Sequence, residues 1–172
     1  RKGFANGKFK VIFREEFPVE LVLNYGGKEK GAGLEDCDEK SGKRYCEIYV
    51  DLKEFDGKNI EYWFELKDIV GNRVSSRKNR VEVDFNRPVI ESLEYLIKKR
   101  RVEFEIRIDE DNFDKVIYFE RGRWKVLCSR LRGSVCKARK TFSYGGYDLK
   151  IRVLDEAGNY VEEDISFEIE KY

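Results

Sequence analysis

The sequence predicts an all-β protein made of two tandem antiparallel β-sandwiches, and three observations predict it. Apolar and polar residues alternate along most of the 172-residue chain, the period-2 pattern of half-buried strands. No stretch sustains a helical period. A turn signature occurs twice, as Asp68-Ile69-Val70-Gly71-Asn72 and as Asp155-Glu156-Ala157-Gly158-Asn159, each time between two alternating runs. Gly takes positive φ without steric cost and Asn tolerates it, so each copy reads as the hairpin between the last two strands of a unit. The duplication divides the chain into units at 1–87 and 88–172, each small for an independent sandwich core. Asn86-Arg87-Pro88 marks the boundary, because Pro biases its predecessor towards extended backbone and donates no ladder hydrogen bond.

In the first unit, residues 8–13 and 19–23 read as strands separated by a turn that includes Pro18, and a Gly-, Lys- and Glu-rich loop is expected over 26–35. Residues 47–52, 59–67 and 73–83 complete it. In 59–67, Ile60, Tyr62, Phe64 and Leu66 take one face, and Glu61, Trp63, Glu65 and Lys67 the other. The second unit runs through 89–97, 101–108, 115–119, 124–128, 141–144, 147–154 and 160–169. There Tyr147, Leu149, Ile151 and Val153 hold the inward places of the first copy's Ile60, Tyr62, Phe64 and Leu66. The second unit opens with a strand, 89–97, where the first has only the polar, Gly-bearing residues 1–7. Two explanations fit: the first strand is truncated at a chain boundary, or a neighbouring chain donates it to an open sheet edge. Arg1 in place of an initiator Met marks a fragment or a processed chain.

An alternating run ending in D-x-x-G-N and followed by a last strand resembles the immunoglobulin-like and fibronectin type III-like modules repeated along archaeal and bacterial surface proteins. The residues that carry the resemblance are Asp68, Gly71 and Asn72, with Asp155, Gly158 and Asn159. A turn just before the run (Asp56-Gly57, Gly145-Gly146) and the inward aromatic Tyr147 belong to the same pattern, from which Ile60 departs. The resemblance covers both units. It implies two tandem immunoglobulin-like antiparallel β-sandwiches that act as spacers, adhesive units or accessory domains of secreted enzymes. The Cys…Trp…Cys spacing of antibody domains is absent.

Charged residues make up 40% of the chain, yet the formal net charge is +1, without the basic excess of a nucleic-acid binder in either half. Nucleic acid is therefore excluded as a bulk-charge partner. His, Met and Gln are missing and Thr141 is the single Thr. Few Gln and Met beside abundant Lys, Glu and Arg match proteins from hot habitats, so a thermophilic, archaeal-type source is expected. With no 18-residue apolar stretch, no membrane span is expected in this fragment.

The four cysteines fall as two local pairs at matching places, Cys37/Cys46 and Cys128/Cys136. Four cysteines allow three pairings, and local pairing is favoured because both repeats keep two Cys bracketing one hairpin. Zinc would need four converging thiolates or help from His, and the pairs lie in different units. Disulfides imply an oxidising, exported setting, intracellular hyperthermophile proteins being the exception, so an extracellular or cell-surface location is expected.

Without His there is no Ser-His-Asp or Cys-His pair, and carboxylates on so acidic a set of strands meet by chance. No catalytic residue is assigned and no enzyme activity is expected. Asp109, Asp111 and Asn112 place oxygen ligands on one loop, which suits calcium, but the spacing and Gly of a calcium loop are missing and a solvated turn is the plainer reading. No other cofactor is expected. Arg121, Arg123, Lys125, Arg130, Arg132, Lys137, Arg139 and Lys140, with Trp124 among them, form a basic stretch free of acids. It is either a patch for an acidic glycan, wall polymer or lipid headgroup, or a set of partners for Glu103, Glu105, Glu162 and Glu163. Trp63 lies on a charged strand face, placed to stack on a sugar or partner, or to pack under a loop. The reading is a non-catalytic structural or adhesive extracellular module whose partner is another cell-surface protein or a glycan. The alternatives are a carbohydrate-binding or substrate-positioning accessory domain of a secreted enzyme, and a filament subunit completed by strand exchange. A glycan binder would cluster exposed aromatics around Trp63 or Trp124, a spacer would bury those rings, and a strand-exchange subunit would leave an edge of the first unit unfilled.

Overall fold

A computed structural model describes residues 3–171, which form strands joined by turns and two single-turn 3-10 segments, Leu34–Asp36 and Lys53–Phe55. The chain divides into two compact units between Phe85 and Asn86. The first holds β1 (Gly3–Ala5), β2 (Lys8–Phe13), β3 (Pro18–Tyr25), β4 (Lys28–Ala32), β5 (Asp38–Lys40), β6 (Lys43–Tyr49), β7 (Asn59–Asp68), β8 (Arg73–Ser75) and β9 (Asn79–Val83). One sheet has the order β1-β9-β7-β3-β4, with β8 also on β7; the other is β2-β6-β5. Alternation sends Leu21, Leu23, Ile60, Phe64, Val81 and Val83 of the first sheet, and Phe9, Cys46 and Ile48 of the second, into one buried cluster. Each such side chain contributes roughly 1.5–3 kcal/mol by leaving water.

Several expectations need correction here. The loop expected over 26–35 contains β4, paired with β3 from Leu21↔Ala32 to Tyr25↔Lys28. Its residues are almost all exposed, so no apolar alternation announced it. The strand expected over 73–83 breaks in two at residues 76–78. Ser76 takes over the pairing there: its N–H donates to the Phe64 carbonyl (2.8 Å) and its Oγ accepts from the Phe64 N–H (2.9 Å). The opening segment is not strandless, since β1 runs parallel to β9, with Gly3↔Val81 and Ala5↔Val83. Among the described residues, β2 has β6 as its one strand neighbour.

On the β2–β6 ladder, Glu47 lies between Lys8 (2.6 Å) and Lys10 (2.9 Å) and accepts from the Tyr49 hydroxyl (2.8 Å). Hydrogen bonds from Lys8 first, then Lys10 and Tyr49, hold its carboxyl down at about 2. A depressed folded value means that the contribution is present above the ordinary glutamate range and is lost as pH falls towards about 2. An NMR titration should place the Glu47 midpoint near 2. Lys8→Ala should move that midpoint up towards the usual ~4.3, and a midpoint already there in the wild type would refute the pairing.

The second unit holds β10 (Val89–Lys98), β11 (Arg101–Asp109), β12 (Phe113–Glu120), β13 (Arg123–Cys128), β14 (Val135–Thr141), β15 (Gly145–Asp155) and β16 (Tyr160–Ile169), in sheets β10-β11-β14 and β13-β12-β15-β16. Val102, Phe104, Ile106 and Ile108 of β11 meet Val116, Tyr118, Leu149, Ile151 and Val153 of the other sheet in its core. The strand expected over 141–144 sits earlier, as β14, where charged side chains alternate with Cys136 and Ala138. The Tyr147 hydroxyl donates to the Ser143 carbonyl (3.2 Å), tying the preceding loop to β15.

The repeated turn has one construction in both units. Asp155 Oδ1 accepts from the N–H groups of Gly158 (2.6 Å) and Asn159 (2.8 Å), and Oδ2 from Asn159 Nδ2 (2.8 Å). Asp68 Oδ1 accepts from Val70 (3.0 Å) and Asn72 (2.8 Å), and Oδ2 from Asn72 Nδ2 (2.7 Å). Gly71 and Gly158 stand at φ 92 and 95, which a side chain would strain. Partial burial pushes the Asp68 carboxyl up, but the Asn72 amide and the backbone N–H groups of the turn outweigh it and hold it low.

Candidate functional site

The outer face of the β13-β12-β15-β16 sheet carries the densest exposed aromatic cluster on one sheet face. Because Val116 and Tyr118 of β12 point into the core, Ile117 and Phe119 point out. Register then sets Trp124 and Lys150 on either side of Phe119, and Val126 and Arg152 on either side of Ile117. On β16, Asp164, Glu162 and Tyr160 lie opposite Lys150, Arg152 and Leu154. The Phe119 and Trp124 rings are 5.2 Å apart. The Arg152 guanidinium sits 4.2 Å from the Trp124 ring centre and 4.3 Å from that of Tyr160, and so lies between two aromatic faces. Its Nε also donates to Glu162 Oε1 (2.7 Å). Lys150 bridges Asp164 (3.1 Å) and Glu162 (3.4 Å).

These contacts fix the charge state of the face. The Arg152 hydrogen bond, followed by Lys150, holds the Glu162 carboxyl below its usual range. Asp164, then Glu162, hold the Lys150 ammonium above its own. Phe119 and Trp124 are each 38% exposed, Tyr160 46% and Val126 51%. The face thus offers ring edges and faces beside a locked Arg, chemistry suited to binding.

Of the residues singled out in the sequence, Trp124 lies in this cluster. Phe119, Arg152 and Tyr160 were missed, because only cross-strand register brings them to Trp124. Trp63 is placed differently. It is half-buried, donates Nε1–H to Glu65 (3.1 Å) and lies under the Lys78 ammonium at 4.5 Å. The basic stretch does not form one patch. Lys137 pairs with Glu105 (2.9 Å), Arg139 with Glu103 (3.2 Å) and Lys125 with Glu120. Arg121 and Arg123 lie at one end of β13, and Arg130 and Arg132 beyond the other, about 17 Å or more away at ~3.3 Å per residue. All four are exposed.

Asp109 ends β11, and Asp111 and Asn112 lie in the turn that follows it. Among the described residues no three His, Cys, Asp or Glu side chains converge as a metal group. The Asn112 carbonyl accepts from the Glu156 N–H (2.8 Å), and the Asn112 N–H donates to Glu110 (3.0 Å), so the loop is organised by its own hydrogen bonds. Disulfides join Cys37 to Cys46 and Cys128 to Cys136. The first staples a hairpin, as the bracketing pattern suggested. The second instead joins β13 of one sheet to β14 of the other.

No protein-family model matches the chain, and no curated protein matches it. Solved structures do. The chain is similar to the FN1–FN3 domains of chicken CNTN1, at 9% identity and a TM-score of 0.54, covering 99% of this chain and 65% of that one. The fold is that of fibronectin-type modules such as these FN domains. The chain is also similar to the fibronectin(III)-like modules of Clostridium thermocellum CbhA (10% identity, TM-score 0.47, 98% of this chain and 88% of that one). A third likeness is to a tetra-tandem repeat in the extending region of a large adhesion protein (11%, 0.33, 96% and 42%). The resemblance carried by the two D-x-x-G-N runs therefore holds at the level of the fold. No helix among the described residues is long and apolar enough to cross a membrane.

Proposed function

We propose that the chain is a pair of tandem immunoglobulin-like β-sandwiches forming a non-catalytic adhesive module of an extracellular thermophile protein. It engages a surface protein through the outer face of β13-β12-β15-β16. The observation that carries this reading is the exposed Phe119, Trp124 and Tyr160 with Arg152 held between the latter two rings. Aromatic and Arg side chains dominate the energetics of protein contacts, and here Arg152 is already held by Trp124, Tyr160 and Glu162. Two disulfides support an oxidising location. The shared core of each pair of sheets supports the sandwich assignment.

A second reading, glycan binding, draws on the same open aromatics, although Arg152 already occupies one face of Trp124. Binding to washed cell envelopes and to a glycan array tests both. Trp124→Ala and Tyr160→Ala, each with unchanged far-UV circular dichroism, should weaken envelope binding at least tenfold, the loss expected for an interface anchor. Variants that bind envelopes like the wild type would overturn the site. Retention on isolated glycans, lost in the same variants, would move the partner from protein to saccharide.

A further inference from the structure

The internal duplication supplies its own control for a surface around the repeated turn of the first unit. The backbone there is the same in both units: Ile69 N–H donates to the Phe17 carbonyl (3.0 Å) as Glu156 N–H donates to the Asn112 carbonyl (2.8 Å). This bond aligns Phe17 with Asn112, Val19 with Asp114, and Ile69-Val70 with Glu156-Ala157. At these four positions the second unit carries polar or small residues where the first carries large apolar ones, while Val74 is matched by Val161. The fold does not require them, since the same hairpin forms without them. In the first unit Phe17 is 58% exposed, Val19 49%, Ile69 69%, Val70 77% and the adjoining Val74 63%. Together they expose on the order of 400 Å² of apolar surface, the size of patch that on a monomer marks a contact site.

The rim selects the occupant. Next to these residues in the chain stand Arg14, Glu15, Glu16, Asp68 and Arg73, so both signs of charge flank the tip. An anionic bilayer would be matched by a basic cluster instead. A surface with both signs is self-complementary about a two-fold axis, where each acid of one copy meets a base of the other. Two such patches face to face, with their rims, would bury about 1,000 Å² in total, the low end of specific interfaces.

We propose that this apolar tip is a self-association site, through which two copies of the chain pair by their first units in a weak two-fold dimer. It lies in the other unit from the aromatic face and stands or falls independently of it. Sedimentation velocity on the intact chain, from about 10 µM to about 1 mM, covers the range expected for such an interface. The weight-average mass should rise towards that of a dimer and persist in high salt. Ile69→Glu with Val70→Ala installs the second unit's own turn and so preserves the hairpin; it should weaken association at least tenfold, and Phe17→Asn should act likewise. A chain that stays monomeric throughout, or association untouched by both variants, overturns the proposal. So does co-sedimentation of the wild type with vesicles of equal phosphatidylcholine and phosphatidylserine in the absence of self-association.

Discussion

Asp155→Ala is expected to destabilise the second unit by about 3 kcal/mol, more than an average point mutation. The reason lies in what the carboxylate holds. Asp155 is 2% exposed, and its two oxygens accept from two backbone N–H groups and the Asn159 amide. Removing them takes the acceptor from three donors at a buried side chain. Asp68 likewise accepts from two backbone N–H groups and the Asn72 amide, but at a partly exposed site where water replaces the lost acceptor, so Asp68→Ala should cost about 1 kcal/mol. Each unit contains one tryptophan, Trp63 in the first and Trp124 in the second, so fluorescence-monitored urea unfolding reads the units apart. Asp155→Ala should shift the Trp124 transition and leave that of Trp63 in place. A cost below about 1 kcal/mol, or equal costs for the two aspartates, would show that burial does not set the difference.

The strands with clean alternation were legible before any coordinates, because one-sided burial imposes period 2 wherever a strand lies over a core. Residues 59–67, 101–108 and 147–154 are of this kind, and they became β7, β11 and β15. What stayed hidden were strands whose stabilisation comes from ladder hydrogen bonds or charge pairs. β4 is an exposed edge, and β14 carries Lys137 and Arg139 only because Glu105 and Glu103 face them on β11. The same acids divided a basic stretch that reads in sequence as one surface. The aromatic face was half legible. Trp124 stood out as an aromatic within the basic stretch, whereas Phe119, Arg152 and Tyr160 come from strands whose register only the folded sheet sets. The second disulfide shows a similar limit. Two cysteines eight residues apart read as a hairpin clamp, yet the chain between them crosses from one sheet to the other.

That crossing makes the two disulfides unequal, although loop entropy treats them alike. Their sequence separations are 9 and 8, so the chain-entropy contribution of each is about 2.5 kcal/mol. Their surroundings differ. Cys46 is 3% exposed, but its partner Cys37 is partly exposed beside the short β5–β6 hairpin, where backbone pairing between Asp38 and Tyr45 would survive reduction. Cys136 is fully buried and Cys128 is 8% exposed, and their bond ties β13 to β14 across the core edge. Replacing both by Ala therefore removes the constraint, opens a cavity and frees the edge strand that carries Trp124. Cys128→Ala with Cys136→Ala, which truncates two buried side chains, should cost about 4 kcal/mol in the Trp124 transition, against about 3 kcal/mol in the Trp63 transition for Cys37→Ala with Cys46→Ala, which truncates one. Because Trp124, Arg152 and Tyr160 need β13 in register, envelope binding should fall with the second pair and survive loss of the first. Equal costs for the two pairs, or binding that withstands loss of Cys128–Cys136, would mean that the sheet edge is held by its ladder alone.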